Sequence, residues 1–335
     1  VNGFDRVAAP AAFETDQYEG FIDKLDPGVP DHYDISYTGS QYDFAKNSPF
    51  VDNENPGVGA SYSNYEGTQI AGNTFDFSYL HGKSILNAGY SFASCSAHAF
   101  EDGNINTSNY LFIDLILGKQ KTTITGREKR FAVMPQSLME QLDKYLEQNG
   151  NLLMTGEYIA SDIFAQDGDC DSLTTNFVEE KLHYTWGEDY ADCKGTLSSK
   201  ISMDLRFKES YDFFTEPNSH RYFVDNPDIL RAVNGGISVL KYDDTQNTAC
   251  VMFNGKYKTI VSAIPFETIK TKNDRDEFMQ ESISFFEQSD RYKQIKMITL
   301  PAKSKIKANS YTSTNHSIKQ DVVKKVKSLK EKYRK

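Results

Sequence analysis

FAVMPQSLMEQLDKYLEQNGNLLMTGEYIASDIF, residues 131–164, decides the architecture of this chain. Beyond Pro135, apolar side chains return at Leu138, Leu142, Tyr145 and Leu146, a spacing that predicts a helix with one buried stripe. Asn149-Gly150 supplies residues that tolerate the left-handed conformation in which helices stop. Leu152, Leu153 and Met154 then follow without polar alternation, as expected of a strand covered on both faces. Gly156 turns the chain toward a second helix start near Ser161-Asp162. Helix, glycine turn, buried strand and helix together make half of a parallel α/β sheet.

Upstream of this unit, YLFIDLILG (Tyr110 to Gly118) predicts a strand with apolar residues on both faces around Asp114. GYSFAS (Gly89 to Ser94) predicts an earlier strand, with Cys95-Ser96-Ala97-His98 at its carboxyl end. His81 to Ala88 is a short helix candidate, and Val1 to Val7 is the tail of a first strand that ends at Asp5 and Arg6. Between residues 8 and 79, Pro27, Pro30, Pro49 and Pro56 punctuate a stretch dotted with Tyr18, Tyr33, Tyr37, Tyr42, Tyr62, Tyr65 and Tyr79. Disordered segments are poor in aromatics, so this is a long ordered insertion. Its rings either stack on sugar faces or pack the insertion against the sheet.

Downstream, Thr174 to Trp186 predicts a helix with Phe177, Leu182 and Trp186 inward. Ile237 to Tyr242, Ala249 to Asn254 and Lys258 to Ile264 are strands, the last two joined as a hairpin at Asn254-Gly255. Pro265-Phe266-Glu267 leaves the last strand at the carboxyl edge of the sheet. A helix over Asp274 to Gln288 carries Phe278, Met279, Ile283, Phe285 and Phe286 on its apolar face, and the domain is expected to close near residue 290.

With 335 residues, 39% hydrophobic and 25% charged, the chain is long enough to bury a core without disulfide or metal. The net charge of −10 hides a division. Residues 291–335 hold fourteen of the 37 Lys and Arg but only two of the 47 Asp and Glu, leaving 23 basic against 45 acidic residues in the body. An acidic body repels phosphate, which argues against nucleic-acid binding. The basic tail contains an amphipathic helix with Ile318, Val322, Val326, Leu329 and Tyr333 on one side, read as docking on the acidic body. No run of residues has the apolar length of a membrane span. Opening on Val1 in place of Met implies processing or excision from a longer precursor.

Cys95, Cys170, Cys193 and Cys250 lack zinc-site spacing. Cys170 and Cys193 bracket one segment and either pair in an oxidising compartment or remain thiols like the other two. Asp167, Asp169 and Asp171 have the alternation that opens a calcium loop, but Ser172 and Val178 stand where that loop needs Gly and Glu. They are read as an acidic turn, and neither metal nor cofactor is expected.

GFDRV, GNTFDFSYLHGKSI, GYSFASCS, IDLILGKQK, the 131–164 stretch and IVSAIPFETI together resemble Bacteroidetes proteins of the xanthan-lyase-named and fibronectin type III-containing group, over roughly residues 1–288. That resemblance implies a secreted, periplasmic or cell-surface protein whose leader is absent from this chain. At a coarser level, the helix ending in NG, LLMTGEYIASDI and the later IVSAIPFE resemble the class I glutamine amidotransferase-like fold. The fold class expected is therefore α/β, a three-layer, flavodoxin-like, mostly parallel sheet with a long loop insertion. In active members of that fold the turn after the central strand presents a Cys nucleophile. Here the turn reads Thr155-Gly156-Glu157-Tyr158, with neither Cys nor Ser at its tip, which implies a degenerate relative.

Ligands of open parallel sheets bind beyond the carboxyl ends of the strands. By the predicted strands that edge gathers Asp5, Arg6, Cys95, His98, Glu157, Asp162 and Glu267. Cys95 and His98 are the one nucleophile-and-base pair at a single strand end, against which stands a small buried Cys and a His that caps a turn. The expected function is a catalytically degenerate module that binds carbohydrate or an envelope protein partner. The alternative is a glycan-directed hydrolase or lyase using Cys95, His98 and Glu157.

Overall fold

The computed structural model describes residues 1–4, 11–14, 17–21, 74–125, 128–165, 171–188, 191, 194–200, 205–216, 223, 224 and 226–298. In chain order they form β1 (Ala11–Glu14), β2 (Gln17–Phe21), α1 (Thr74–Asn87), α2 (Ala97–Glu101), β3 (Phe112–Gly118), β4 (Thr123–Thr125), β5 (Glu128–Arg130), α3 (Gln136–Glu147) and β6 (Asn151–Gly156). There follow α4 (Ser161–Phe164), α5 (Ser172–Phe177), β7 (Tyr184–Glu188), β8 (Thr196–Ser199), β9 (Ser210–Asp212), β10 (Ile229–Ala232), β11 (Ile237–Tyr242), β12 (Thr248–Asn254), β13 (Lys258–Ser262), α6 (Lys272–Phe286) and α7 (Asp290–Ile298). These elements belong to a compact unit from Val1 to Met297. Asp5, Arg6, Asp167, Asp169, Cys170, Cys193, the tail from 299 and the side chains of all seven insertion tyrosines lie outside the described residues.

The fold is α/β, built on a mixed sheet of nine strands among the described residues, in the order β3-β6-β13-β12-β11-β8-β9, with β10 and β7 branching from β12. β3, β6 and β13 run parallel, with Leu153 of β6 facing Asp114 on one side and Ile260 on the other. From β12 onward every pairing is antiparallel. The parallel half is the part that the 131–164 stretch foretells; the antiparallel half comes from short strands whose sequence carries no strong period.

Alternation along the parallel strands sorts their side chains onto two faces. Ile113, Leu115 and Leu117 of β3 and Leu152 and Met154 of β6 pack with Leu138, Leu142 and Leu146 of α3. Leu153 and Ile260, on the opposite face, pack with Ile85 of α1 and with Phe278, Met279 and Ile283 of α6. Each such side chain, fully buried, contributes roughly 1.5–3 kcal/mol. Asn151 sets the register: its Nδ2 donates to Leu111 O at 3.0 Å and Ser289 Oγ at 2.9 Å, and its Oδ1 accepts from Lys258 N at 3.2 Å.

Gly118 ends β3 at φ +51°, and a Cβ there would stand 2.4 Å from the ring of buried Phe4. Gly118→Ala is expected to cost about 1–3 kcal/mol in urea unfolding, through backbone strain and displacement of that ring.

Two predicted elements are corrected. GYSFAS is an exposed loop: Ser91, Phe92, Ala93 and Ser94 all face outward, so neither face of a strand there has a core to bury. The position beside β3 is taken instead by Asn2, bridged in parallel to Ile116 and Ser96. The predicted helix through Trp186 ends sooner. After α5 and a π-helical turn over Val178–Leu182, His183 adopts φ +63°, its ring stacked 3.4 Å from that of Phe253, and the chain leaves as β7 with Trp186 inside the strand. A residue's local preference for helix has yielded here to a tertiary ring contact.

Candidate functional site

At the carboxyl edge of the parallel strands, β3 is followed by buried Lys119 and β6 by Glu157, which has no exposed surface. Lys119 Nζ lies 3.5 Å from Glu157 Oε2 and donates to Phe223 O at 3.2 Å. Glu157 Oε1 accepts from Asn226 N at 2.8 Å. Asp228 Oδ2 accepts from the N–H groups of Ala160 and Ser161 at 2.6 and 2.8 Å, closing the turn that follows β6. Asp162 accepts from Thr122 N, Thr122 Oγ1 and Val133 N at 2.7, 2.9 and 3.0 Å. Burial raises the Asp162 pKa against those donors. The bend after β6 is thus closed by interlocked carboxylates that tie loops together.

Burial also lifts the Asp228 carboxyl to about 7, against its two backbone donors. A folded pKa above the unfolded 3.8 means stability that is present below pH 3.8 and lost as pH rises through about 7. Asp228→Asn is expected to remove that slope, read as melting temperatures that change less than wild type between pH ~4 and ~7.5.

A second cluster lies on the α1 and α6 face of the sheet. His81 of α1 places Nδ1 2.8 Å from Asp114 Oδ2 and Nε2 3.2 Å from Glu267 Oε2, with its ring 4.5 Å from that of Phe266. Burial alone would lower the imidazole pKa, but the charge and hydrogen bond of Asp114, joined by those of Glu267, raise it to about 9. His81 is therefore an imidazolium held between two carboxylates near neutral pH. Asp114 lines a cavity of about 230 Å³ bounded by α1, the 90–94 loop, residues 109–112 and α7. Its Oδ1 is buried and accepts no hydrogen bond.

The predicted residues thus separate. Glu157 and Asp162 do stand near the carboxyl edge, each engaged in tying loops, while Glu267 turns to the His81 cluster. Cys95 is a half-buried free thiol following the exposed loop. His98 has a side chain 78% exposed and lies 3.7 Å from Glu101 on its own helix, α2. Sequence reasoning missed His81, Asp114, Lys119 and Asp228 as site residues. The signal for the His81 cluster was present: Asp114 is one acid inside an otherwise apolar strand, and such a residue needs a buried partner.

No protein-family model matches this chain, and no curated protein matches it. Solved structures similar to it include a β-galactosidase from Rahnella sp. R3, at 11% identity and TM-score 0.36, over 60% of this chain and 26% of that one. An exo-β-1,4-mannosidase from Opitutaceae bacterium strain TAV5 matches at 11% identity and TM-score 0.37, over 62% of this chain and 29% of its own. A GMP synthase-type protein from Thermoplasma acidophilum matches at 10% identity and TM-score 0.40, over 66% of this chain and 92% of its own. The chain thus spans under a third of the length of the two glycosidases.

Proposed function

We propose that this domain is a non-catalytic module of the amidotransferase-like, flavodoxin-like class, secreted or envelope-associated, that binds carbohydrate or a protein partner. The observation that carries the reading is the bend after β6. Catalysis there needs an exposed nucleophile beside a base, and the position holds Glu157, fully buried, paired with Lys119 and fixed by Asn226. The order β3-β6-β13, with α3 before β6 and α6 after β13, supports the fold assignment. The secreted or envelope setting follows from the Bacteroidetes resemblance of the quoted segments.

The test is turnover. The purified chain is incubated with a panel of polysaccharides, aryl glycosides and esters, beside Cys95→Ala. The expected result is no bond cleavage above blank for either protein, with Cys95→Ala melting close to wild type. Cleavage that disappears in Cys95→Ala at unchanged melting temperature would replace this reading with a hydrolase or lyase built on Cys95 and His98.

A further inference from the structure

We infer that the cavity beside α1 is a subsite for a single neutral sugar ring, with the Asp114 carboxylate accepting a hydroxyl hydrogen bond from it. This inference rests on the binding-module reading and gives it a location and a ligand class.

Three observations lead there. First, Asp114 is more than nine-tenths buried and lines the cavity, yet its Oδ1 has no hydrogen-bond donor. A buried acceptor left unmade costs about 1–3 kcal/mol, more when charged, and a ligand hydroxyl would relieve that cost. Secondly, the charge of Asp114 is already met by the His81 imidazolium that it shares with Glu267. The remaining demand is for a neutral donor, and among the described residues no group of three His, Cys, Asp or Glu stands ready to hold a metal ion. Thirdly, aromatic rings and small polar groups share the wall. Phe92 and Tyr110 are more than a third exposed, and Asn109 and Ser94 lie beside them in the lining. A flat ring face next to hydroxyl and amide donors suits the apolar face and the polar rim of a sugar.

Size selects one ring over a chain. Drug-sized ligands occupy about 300–1,000 Å³, and this cavity is about 230 Å³. β3 is the terminal strand of the sheet and borders the cavity, but its outer edge is engaged there, Val1 N donating to Asp114 O at 2.7 Å and Ile116 N donating to Val1 O at 3.0 Å, so an extended peptide has no free ladder to join at those positions.

Gly82, one residue beyond His81 on α1, lies directly under Phe92, and a Cβ at Gly82 would stand 2.1 Å from the end of that ring. The ring is at the surface and free to swing, so Gly82→Ala is expected to push Phe92 off the wall while leaving Asp114 in place. Exchanging a helical Gly for Ala also favours the helix by roughly 0.5–1 kcal/mol, so the fold is preserved.

The experiment uses the full chain, with D-glucose, D-galactose, D-mannose and D-xylose as probes, in saturation-transfer NMR followed by calorimetric titration. At least one sugar is expected to saturate with a millimolar or tighter Kd. Asp114→Asn, Tyr110→Ala and Gly82→Ala are each expected to weaken it about tenfold, a difference of about 1.4 kcal/mol. Should Asp114→Asn fail to fold, the two rim variants decide. Saturation by no sugar, or equal affinity in the variants, overturns the inference. Neither outcome touches the non-catalytic reading, which stands or falls on turnover.

Discussion

His81→Ala is expected to be among the most damaging single substitutions in the chain, costing about 3–5 kcal/mol in urea unfolding. The imidazolium is the cation between Asp114 and Glu267, and its loss leaves two buried carboxylates facing one another across a new cavity. The pH dependence gives a second signature. The folded imidazole titrates at about 9 against an unfolded 6.5. Its contribution is therefore fully present below pH 6.5 and is lost as pH rises through about 9. By linkage the difference is on the order of 3 kcal/mol. Wild type should lose stability across that window, and His81→Ala should lack that loss. A variant that unfolds at the wild-type urea concentration at pH ~6 would show that the cluster contributes nothing to the fold.

Glu157→Ala is expected to have an effect of similar size for a related reason. It removes the carboxylate 3.5 Å from the buried Lys119 ammonium and releases the Asn226 N–H that this carboxylate accepts. Uncompensated burial of one partner costs about 3–5 kcal/mol. The loss should appear as a lower urea midpoint with an unchanged slope, because the surface exposed on unfolding is hardly altered. Lys119→Ala should behave alike, since it takes away the cation beside Glu157 in the same pocket.

The parallel core was legible because its signals are local. The α3 stripe at Leu138, Leu142, Tyr145 and Leu146, the Asn149 stop at φ +60° and the unbroken Leu152-Leu153-Met154 run each depend on neighbours within a few residues. The hairpin at Asn254-Gly255 was legible in the same way, and β12 and β13 pair antiparallel across it. What stayed hidden depends on distant residues. Trp186 leaves the predicted helix because His183 stacks on Phe253, seventy positions downstream. The 89–94 segment has strand-like composition but no strand beside it, since Asn2 occupies the edge next to β3. The candidate site was half legible. Glu267 was read as an edge carboxylate, while Asp114 was read only as a position in an apolar strand, and only the fold brings His81 between them, from 186 positions before the one and 33 before the other.

The central claim is that the bend after β6 is a structural staple, held by the buried Lys119–Glu157 pair. A double-mutant cycle tests it most directly, with urea unfolding of Glu157→Met, Lys119→Met and the two combined. Each single substitution is expected to lose about 3–5 kcal/mol, and the pair to lose clearly less than the sum of the two, because the double replacement leaves no uncompensated buried charge and only the Asn226 N–H and Phe223 O lose their partners. Full stability in Glu157→Met, together with altered ligand affinity or turnover, would contradict the account and make that bend a functional site.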